Sequence, residues 1–309
     1  MHVLLLFVDG FGIGPAYATA NPYVTAQTPT LDAWLSGKRM TLPPRRLDNA
    51  AVCVVPTDAC LGVDGLPQSA TGQTALLTGL NAPAAVGRHV NGFPTLQLRQ
   101  MLDDANIMLR LRREGFRVAL ANAYSPEYFT LIETGKRRHA AIALAAIAAG
   151  VPFRSLEDLR AGHAVYQDVT SGLLLARGQA VPALTPETAG EYLARITRKN
   201  DFTLFEYFQT DLAGHSGNLP RAVELMETLD RFFGATAAHL TEDCLLVIAS
   251  DHGNVEDMSV RTHTRNPVPT ILYGAGREEA AGKISDLTDI APALLALLRR
   301  HRPTDQSGN

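Results

Sequence analysis

Val3-Leu4-Leu5-Leu6-Phe7-Val8-Asp9-Gly10 is an apolar run that stops on a carboxylate and a glycine. Its length and lack of alternation suit a strand buried on both faces, which leaves Asp9 just past the carboxyl end. The same arrangement returns twice. Leu204-Phe205-Glu206-Tyr207-Phe208-Gln209-Thr210 ends on Asp211, and Leu245-Leu246-Val247-Ile248-Ala249-Ser250 ends on Asp251. Further short apolar runs at 116–121 and 268–273 alternate with helical patterns at 71–78, 98–113, 138–149, 186–199, 221–240 and 289–300. Such alternation predicts an α/β sheet covered on both faces. If the three aspartate-terminated strands are parallel, all three carboxylates gather at the edge where open α/β sheets bind ligands.

Composition sets the outer limits. A chain of 309 residues can bury one large core or two modest ones, and a formal net charge of -3 gives no case for nucleic acid or a membrane surface as partner. Cys53, Cys60 and Cys244 have neither CxxC spacing nor an even count, so a disulfide framework or thiolate zinc site is not expected and a cytoplasmic location is. The apolar runs at 3–8 and 140–149 are too short to span a bilayer. Between residues 125 and 184 the alternation becomes irregular, which reads as an insertion over the ligand edge. Its basic residues, Arg137, Arg138, Arg154, Arg160 and His163, read as solvated charges or as a grip on an anion. The tail after His301 reads as frayed, and the sequence carries no signal for oligomeric state.

Candidate chemistry lies in four dispersed segments. Asp211 and His215 are four apart and share one side if the chain turns helically there, either as a surface hydrogen bond or as a ligand pair. Gly214 and Gly217 favour a tight, shaped loop. Asp251-His252-Gly253-Asn254 offers an adjacent carboxylate and imidazole, as a cap and a satisfied histidine or as metal ligands. Asp9 before Gly10 reads as a turn former or a ligand, and His263 as structural or a ligand. Ser69 reads as a helix N-cap whose oxygen lies among free N–H groups, a setting that also favours a phosphate. A serine nucleophile needs a base or a metal, and no GxSxG elbow surrounds this one. The mixed oxygen and nitrogen donors suit manganese or zinc better than magnesium or calcium.

Taken together, the segments resemble the alkaline phosphatase superfamily, most closely its branch of cofactor-independent phosphoglycerate mutase and phosphopentomutase. Asp211-Leu212-Ala213-Gly214-His215-Ser216-Gly217 is similar to that branch's D-x-V-G-H-T-G motif. Asp251-His252-Gly253-Asn254 and His263-Thr264-Arg265-Asn266-Pro267-Val268-Pro269 match DHGN and HTxNPVP. Ser69-Ala70-Thr71-Gly72-Gln73-Thr74 resembles the start of the superfamily's nucleophile helix. The resemblance implies an α/β fold: an alkaline-phosphatase-like three-layer α/β/α sandwich with a mostly parallel central sheet and a small inserted cap. Residues 1–124 and 185–309 would form the catalytic core and 125–184 the cap.

The same resemblance implies two divalent metal ions. Asp211, His215 and His263 would hold one, and Asp9, Asp251 and His252 the other, with Ser69 as nucleophile on the second ion or between the two. The branch's long cap carries an arginine- and histidine-rich substrate site; the corresponding stretch here is far shorter and lacks its histidine-serine-histidine loop. Gln73 stands where the mutases have histidine and is expected to donate to the phosphate. The expected activity is a phosphomonoesterase acting on a small phosphorylated metabolite. The alternatives are a phosphomutase, a phosphodiesterase and, from another class, a non-catalytic metal-binding protein.

Overall fold

The computed structural model describes residues 1–302, so the tail beyond Arg302 lies outside the described residues. Seven strands are described: β1 His2–Val8, β2 Leu47–Asp48, β3 Val52–Thr57, β4 Val118–Leu120, β5 Phe202–Tyr207, β6 Cys244–Ala249 and β7 Val268–Gly274. They form one sheet in the order β2-β3-β7-β6-β1-β5-β4. β6, β1, β5 and β4 pair in parallel, with Val8 opposite Tyr207 and Phe7 opposite Ala249. β7 runs against β6, and β3 against β7, so β3 points the same way as the parallel core. The sheet is therefore mostly parallel, and β1, β5 and β6 deliver Asp9, Asp211 and Asp251 to one edge.

β1 shows why both faces must be covered. Val3, Leu5 and Phe7 enter one apolar cluster with Leu98, Ile142, Ile290 and Leu294, while Leu4, Leu6 and Val8 enter a second with Leu193, Leu225 and Phe232. Each such side chain, fully buried, contributes about 1.5–3 kcal/mol. One uninterrupted apolar strand thus binds helices on both sides, giving three layers.

Two of the differences from the sequence reading have a plain local cause. The helix expected at 98–113 is two helices, Leu96–Ala105 and Ile107–Arg113, because Asn106 leaves the helical region and its side chain caps the second through the Leu109 N–H at 3.0 Å. β3 has no expected counterpart. It carries Pro56, which cannot donate to a ladder, and it sits opposite Pro269 in β7, which cannot donate either.

Within the stretch expected as an insertion, helix Ala141–Ala148 packs into the first core cluster through Ala141, Ile142, Ala145 and Ala146. Helices Pro126–Glu133 and Gly172–Ala176 lie beside the ligand edge, where Tyr128, Leu131 and Leu173 face a cavity. No described helix is long and apolar enough to cross a membrane.

Candidate functional site

Asp9 follows β1 directly, and Asp251 follows β6 after Ser250. Asp211 and His215 lie on helix Gln209–Ser216, which starts as β5 ends, and His263 lies on the segment leading into β7. Ser69 is the first residue of helix Ser69–Thr78. The structure brings these six side chains together with that of His252. His252 Nε2 lies 3.4 Å from Asp9 Oδ1, 3.5 Å from Asp251 Oδ2 and 3.0 Å from Ser69 Oγ. Asp211 Oδ1 lies 3.4 Å from His263 Nε2, and Asp211 Oδ2 the same distance from His215 Nε2. The His252 and His263 rings stack with centroids 3.7 Å apart, joining the two groups.

Two details correct the sequence reading. Ser69 is not the N-cap: Gln68 holds that position, and Ser69 follows it inside the helix. Nor are the N–H groups beside it free, because those of Ala70 and Thr71 both donate to Val90 O, at 3.1 and 3.4 Å. Gln73 has its amide turned to carboxylates, donating to Asp251 Oδ2 at 3.2 Å and Asp9 Oδ2 at 3.4 Å.

The electrostatics call for cations. Among the described residues, the ion-pair partners of Asp9, Asp211 and Asp251 are histidines, with no lysine or arginine. Burial, with the charge of Asp251 adding, holds the Asp9 carboxyl well above the usual range, and burial beside Asp211 pushes Asp251 up to about 7. Burial, with His263 nearby, pushes His252 down to about 3, so its imidazole is neutral. Burial is the largest influence on Asp211 and opposes its ionisation, but the neighbouring His263 and His252 rings and the Asn254 amide together outweigh it and lower this carboxyl to about 2.

The tautomers point the same way. His263 Nδ1 meets Pro67 O at 2.8 Å and His215 Nδ1 meets Arg261 O at 3.0 Å, so each Nδ1 carries a proton and, when the ring is neutral, each Nε2 presents a lone pair. Those two Nε2 atoms face each other at 3.1 Å. Lone pairs so placed, with a carboxylate alongside, repel unless a cation lies between them. Asp9 Oδ1 and His252 Nδ1 are buried without a hydrogen-bond partner among the described residues. Asp9, Asp251 and His252 form one cluster of metal-binding geometry, and Asp211, His252 and His263 another. The donor set fits two divalent ions.

Glu256, absent from the sequence reading, ties the loops of the site together. This carboxylate is 1% exposed. Oε2 accepts the N–H groups of Gly12 at 3.1 Å and Asn254 at 2.6 Å. Oε1 accepts from the Thr264 hydroxyl and from Asn266 Nδ2 at 3.0 Å. Its partners thus come from the loops that carry Asp9, His252 and His263. Gly12 and Gly253 make room for it: a Cβ on either would come within 2.4 Å or less of its carboxyl group. A glutamate two places after Asn254, in a loop flanked by glycines that approach closely, is the signal that could have marked it. Asn254 holds Asp211 in turn, donating to Oδ1 at 2.6 Å.

Ser69, Asp9, Gln73 and Asp211 form one end of a cavity of about 470 Å³. Ser69 therefore faces both the acidic and imidazole cluster and a space where a small molecule fits.

Known proteins match both the sequence and the fold. The model of the metalloenzyme superfamily matches residues 180–301. The 2,3-bisphosphoglycerate-independent phosphoglycerate mutase of Agrobacterium fabrum is 37% identical over 131 residues, which cover 40% of this chain and 26% of that protein. Its counterpart in Rhodopseudomonas palustris is 34% identical over 132 residues, with the same coverage. The chain thus spans about a quarter of the length of the curated relatives it matches. Among solved structures, PH0037 protein from Pyrococcus horikoshii aligns with 100% of this chain and 98% of its own at TM-score 0.60 and 17% identity. The alkaline phosphatase of the Antarctic bacterium TAB5 aligns with 96% of this chain and 98% of its own at TM-score 0.55 and 15% identity. At these identities the structural likeness concerns the fold.

Proposed function

For a chain that belongs to the alkaline phosphatase superfamily, close to its cofactor-independent phosphoglycerate mutase branch, we propose a metal-dependent phosphoryl-transfer enzyme with Ser69 as nucleophile. The preferred reading is a phosphomonoesterase acting on a small phosphorylated metabolite. The observation that carries it is the placing of Ser69 Oγ, 3.0 Å from His252 Nε2 and at the floor of a cavity, where two ligand clusters meet.

In this proposal Asp211, His215 and His263 hold one divalent ion, and Asp9, Asp251 and His252 the other; manganese or zinc suits the mixed donors. Bound there, the ions would neutralise charge on the phosphoryl oxygens and favour the ionised hydroxyl. Ser69 Oγ attacks phosphorus in line, forming a serine–phosphorus ester as the bond to the leaving alcohol breaks. A second acceptor, water in a hydrolase, then takes the phosphoryl group and frees Ser69. Asn254 and Glu256 keep the ligands in register, and within residues 125–184 the helices Pro126–Glu133 and Gly172–Ala176 act as the cap, while Ala141–Ala148 belongs to the core. A cytoplasmic location is part of the same reading, supported by three cysteines that are all free.

A phosphomutase is the second reading, favoured by the relatives that share the 131- and 132-residue stretches, which are phosphoglycerate mutases by name. A mutase must retain its dephosphorylated intermediate until the group returns to another oxygen. Incubation with 3-phosphoglycerate, pentose 1-phosphates and a wider set of phosphorylated metabolites, with manganese and zinc supplied in turn, separates the two. Inorganic phosphate marks the hydrolase and isomerised ester the mutase. Neither product from any ester, with either metal, would remove both readings.

A further inference from the structure

On the reading above, the phosphoryl group ends at Ser69, so the alcohol that carries it must occupy the cavity opening from that residue. This space of about 470 Å³ is of the size that encloses an organic ligand of several rings rather than a three-carbon acid. Much of its wall is aromatic: Phe93, Tyr124, Tyr128, Tyr166 and Phe208. The rings are held by one another, with Tyr124 4.8 Å from Tyr128 and edge-on to Phe153 at 4.5 Å. The Arg137 guanidinium lies 5.2 Å from the centroid of Tyr128.

The charge of the cavity decides against a second anionic group. Of the basic residues in the stretch 125–184, Arg154 donates to Leu120 O at 3.0 Å and to His163 O at 2.6 Å, and Arg160 donates to Ala180 O at 2.7 Å. Among the described residues, the cations left to line the cavity are Arg137 and Arg177, matched in number by the acids Glu127 and Glu206, beside the carboxylates of Asp9 and Asp211. Glu206 stands on β5 within the wall. Its backbone bonds Asn122, and its carboxyl oxygens have no hydrogen-bond partner among the described residues. A carboxylate on the leaving alcohol would meet this acid. An uncharged alcohol bearing a flat ring and an N–H group would meet an aromatic surface and an acceptor.

We propose that the cavity takes the nucleoside part of a nucleoside monophosphate, with the base against the Tyr124 and Tyr128 rings and a base N–H donating to Glu206. The proposal deepens the phosphomonoesterase reading and rests on it for the position of the phosphate.

The test is calorimetric titration of the whole chain carrying Ser69→Ala, with manganese supplied, against adenosine 5′-monophosphate, glycerol 3-phosphate and 3-phosphoglycerate. All three are phosphates of primary alcohols, so differences report the rest of the ligand. The nucleotide is expected to bind at least about tenfold more tightly than either of the others, the scale of one base–aromatic stack. Adenosine alone is expected to compete with it. Adding Tyr128→Ala should weaken nucleotide binding about tenfold, and adding Glu206→Gln should weaken it too, with circular dichroism confirming that each variant folds. Equal or tighter binding of glycerol 3-phosphate or 3-phosphoglycerate would overturn the assignment, as would unchanged nucleotide binding in both folded variants.

Turnover by the unsubstituted chain separates this assignment from the reading beneath it. Tight nucleotide binding without phosphate release from any ester supports the cavity assignment and removes the hydrolase. Faster release from glycerol 3-phosphate than from the nucleotide removes the cavity assignment and leaves the hydrolase.

Discussion

Glu256 accepts the backbone N–H of Gly12 at 3.1 Å although 244 positions separate them in the chain. This bond closes the loop after β1 onto the loop after β6, and the other bonds of the same carboxylate add the segment before β7. Glu256→Gln keeps the shape but turns an NH2 group toward donors on one side. It is expected to cost on the order of 2–4 kcal/mol, since buried donors lose their acceptor. Urea unfolding of the variant, beside its metal affinity by calorimetry, checks this; wild-type values for both would refute the bracing role.

Nε2 of His215 and Nε2 of His263 approach to 3.1 Å beside Asp211, an arrangement that a cation relieves. Chelation should therefore lower the unfolding temperature, and manganese or zinc should restore it. At a thousandfold excess over the dissociation constant the stabilisation is about 4 kcal/mol. Scanning calorimetry before and after chelation measures it, and an unfolding temperature indifferent to both metals would contradict the metal reading.

Gly72 lets the helix of Ser69 lie against Asp251, for a Cβ at that position would stand 2.7 Å from Asp251 O and 2.9 Å from Asp251 Cβ. The nearest obstacle is backbone, which cannot swing aside as a side chain does. Gly72→Ala should separate nucleophile from ligand and lower kcat/KM at least about tenfold, since small misplacements near reacting groups are costly. Steady-state kinetics with the best ester from the metabolite screen would show it.

Glu206 gives a pH dependence that can be isolated. Burial, with the charge of Asp251 adding, pushes its carboxyl from 4.5 to about 7. Between those values the folded chain holds a proton that the unfolded chain has lost. This group therefore makes stability fall as pH rises through that window, with no further change above it. Glu206→Gln removes the effect, so the variant should melt higher than the parent at pH 8, with the gap closing by pH 4.5. Melting curves for the pair across that range decide it, and a gap that stays constant would exclude Glu206 as its source.

Asp9 and Asp251 are legible in sequence because each closes an uncharged apolar run buried on both faces, and Asp211 because it opens the polar segment that follows β5. Their meeting is legible once β1, β5 and β6 are taken as parallel, as the sheet has them. β3 is hidden because Pro56 argues against a ladder, and the paired Pro269 that makes it tolerable lies on a distant strand. Val90 O occupying the N–H groups beside Ser69, and the four donors of Glu256, are contacts between loops that share no periodicity. No local pattern records them. The cavity wall is likewise assembled from β5, helix Pro126–Glu133 and loops between, so its aromatic character emerges only in three dimensions.

The central claim is that Ser69 carries the phosphoryl group. Brief exposure of the metal-loaded chain to an excess of the preferred ester, acid quenching and peptide mass spectrometry test it directly. The account predicts one phosphoryl group on the peptide containing Ser69. It also predicts that Ser69→Ala gives none, binds metal as the parent does and turns over about a thousandfold more slowly or less. Phosphoryl transfer to another residue, or a Ser69→Ala chain that turns over at the parent's rate, would contradict it.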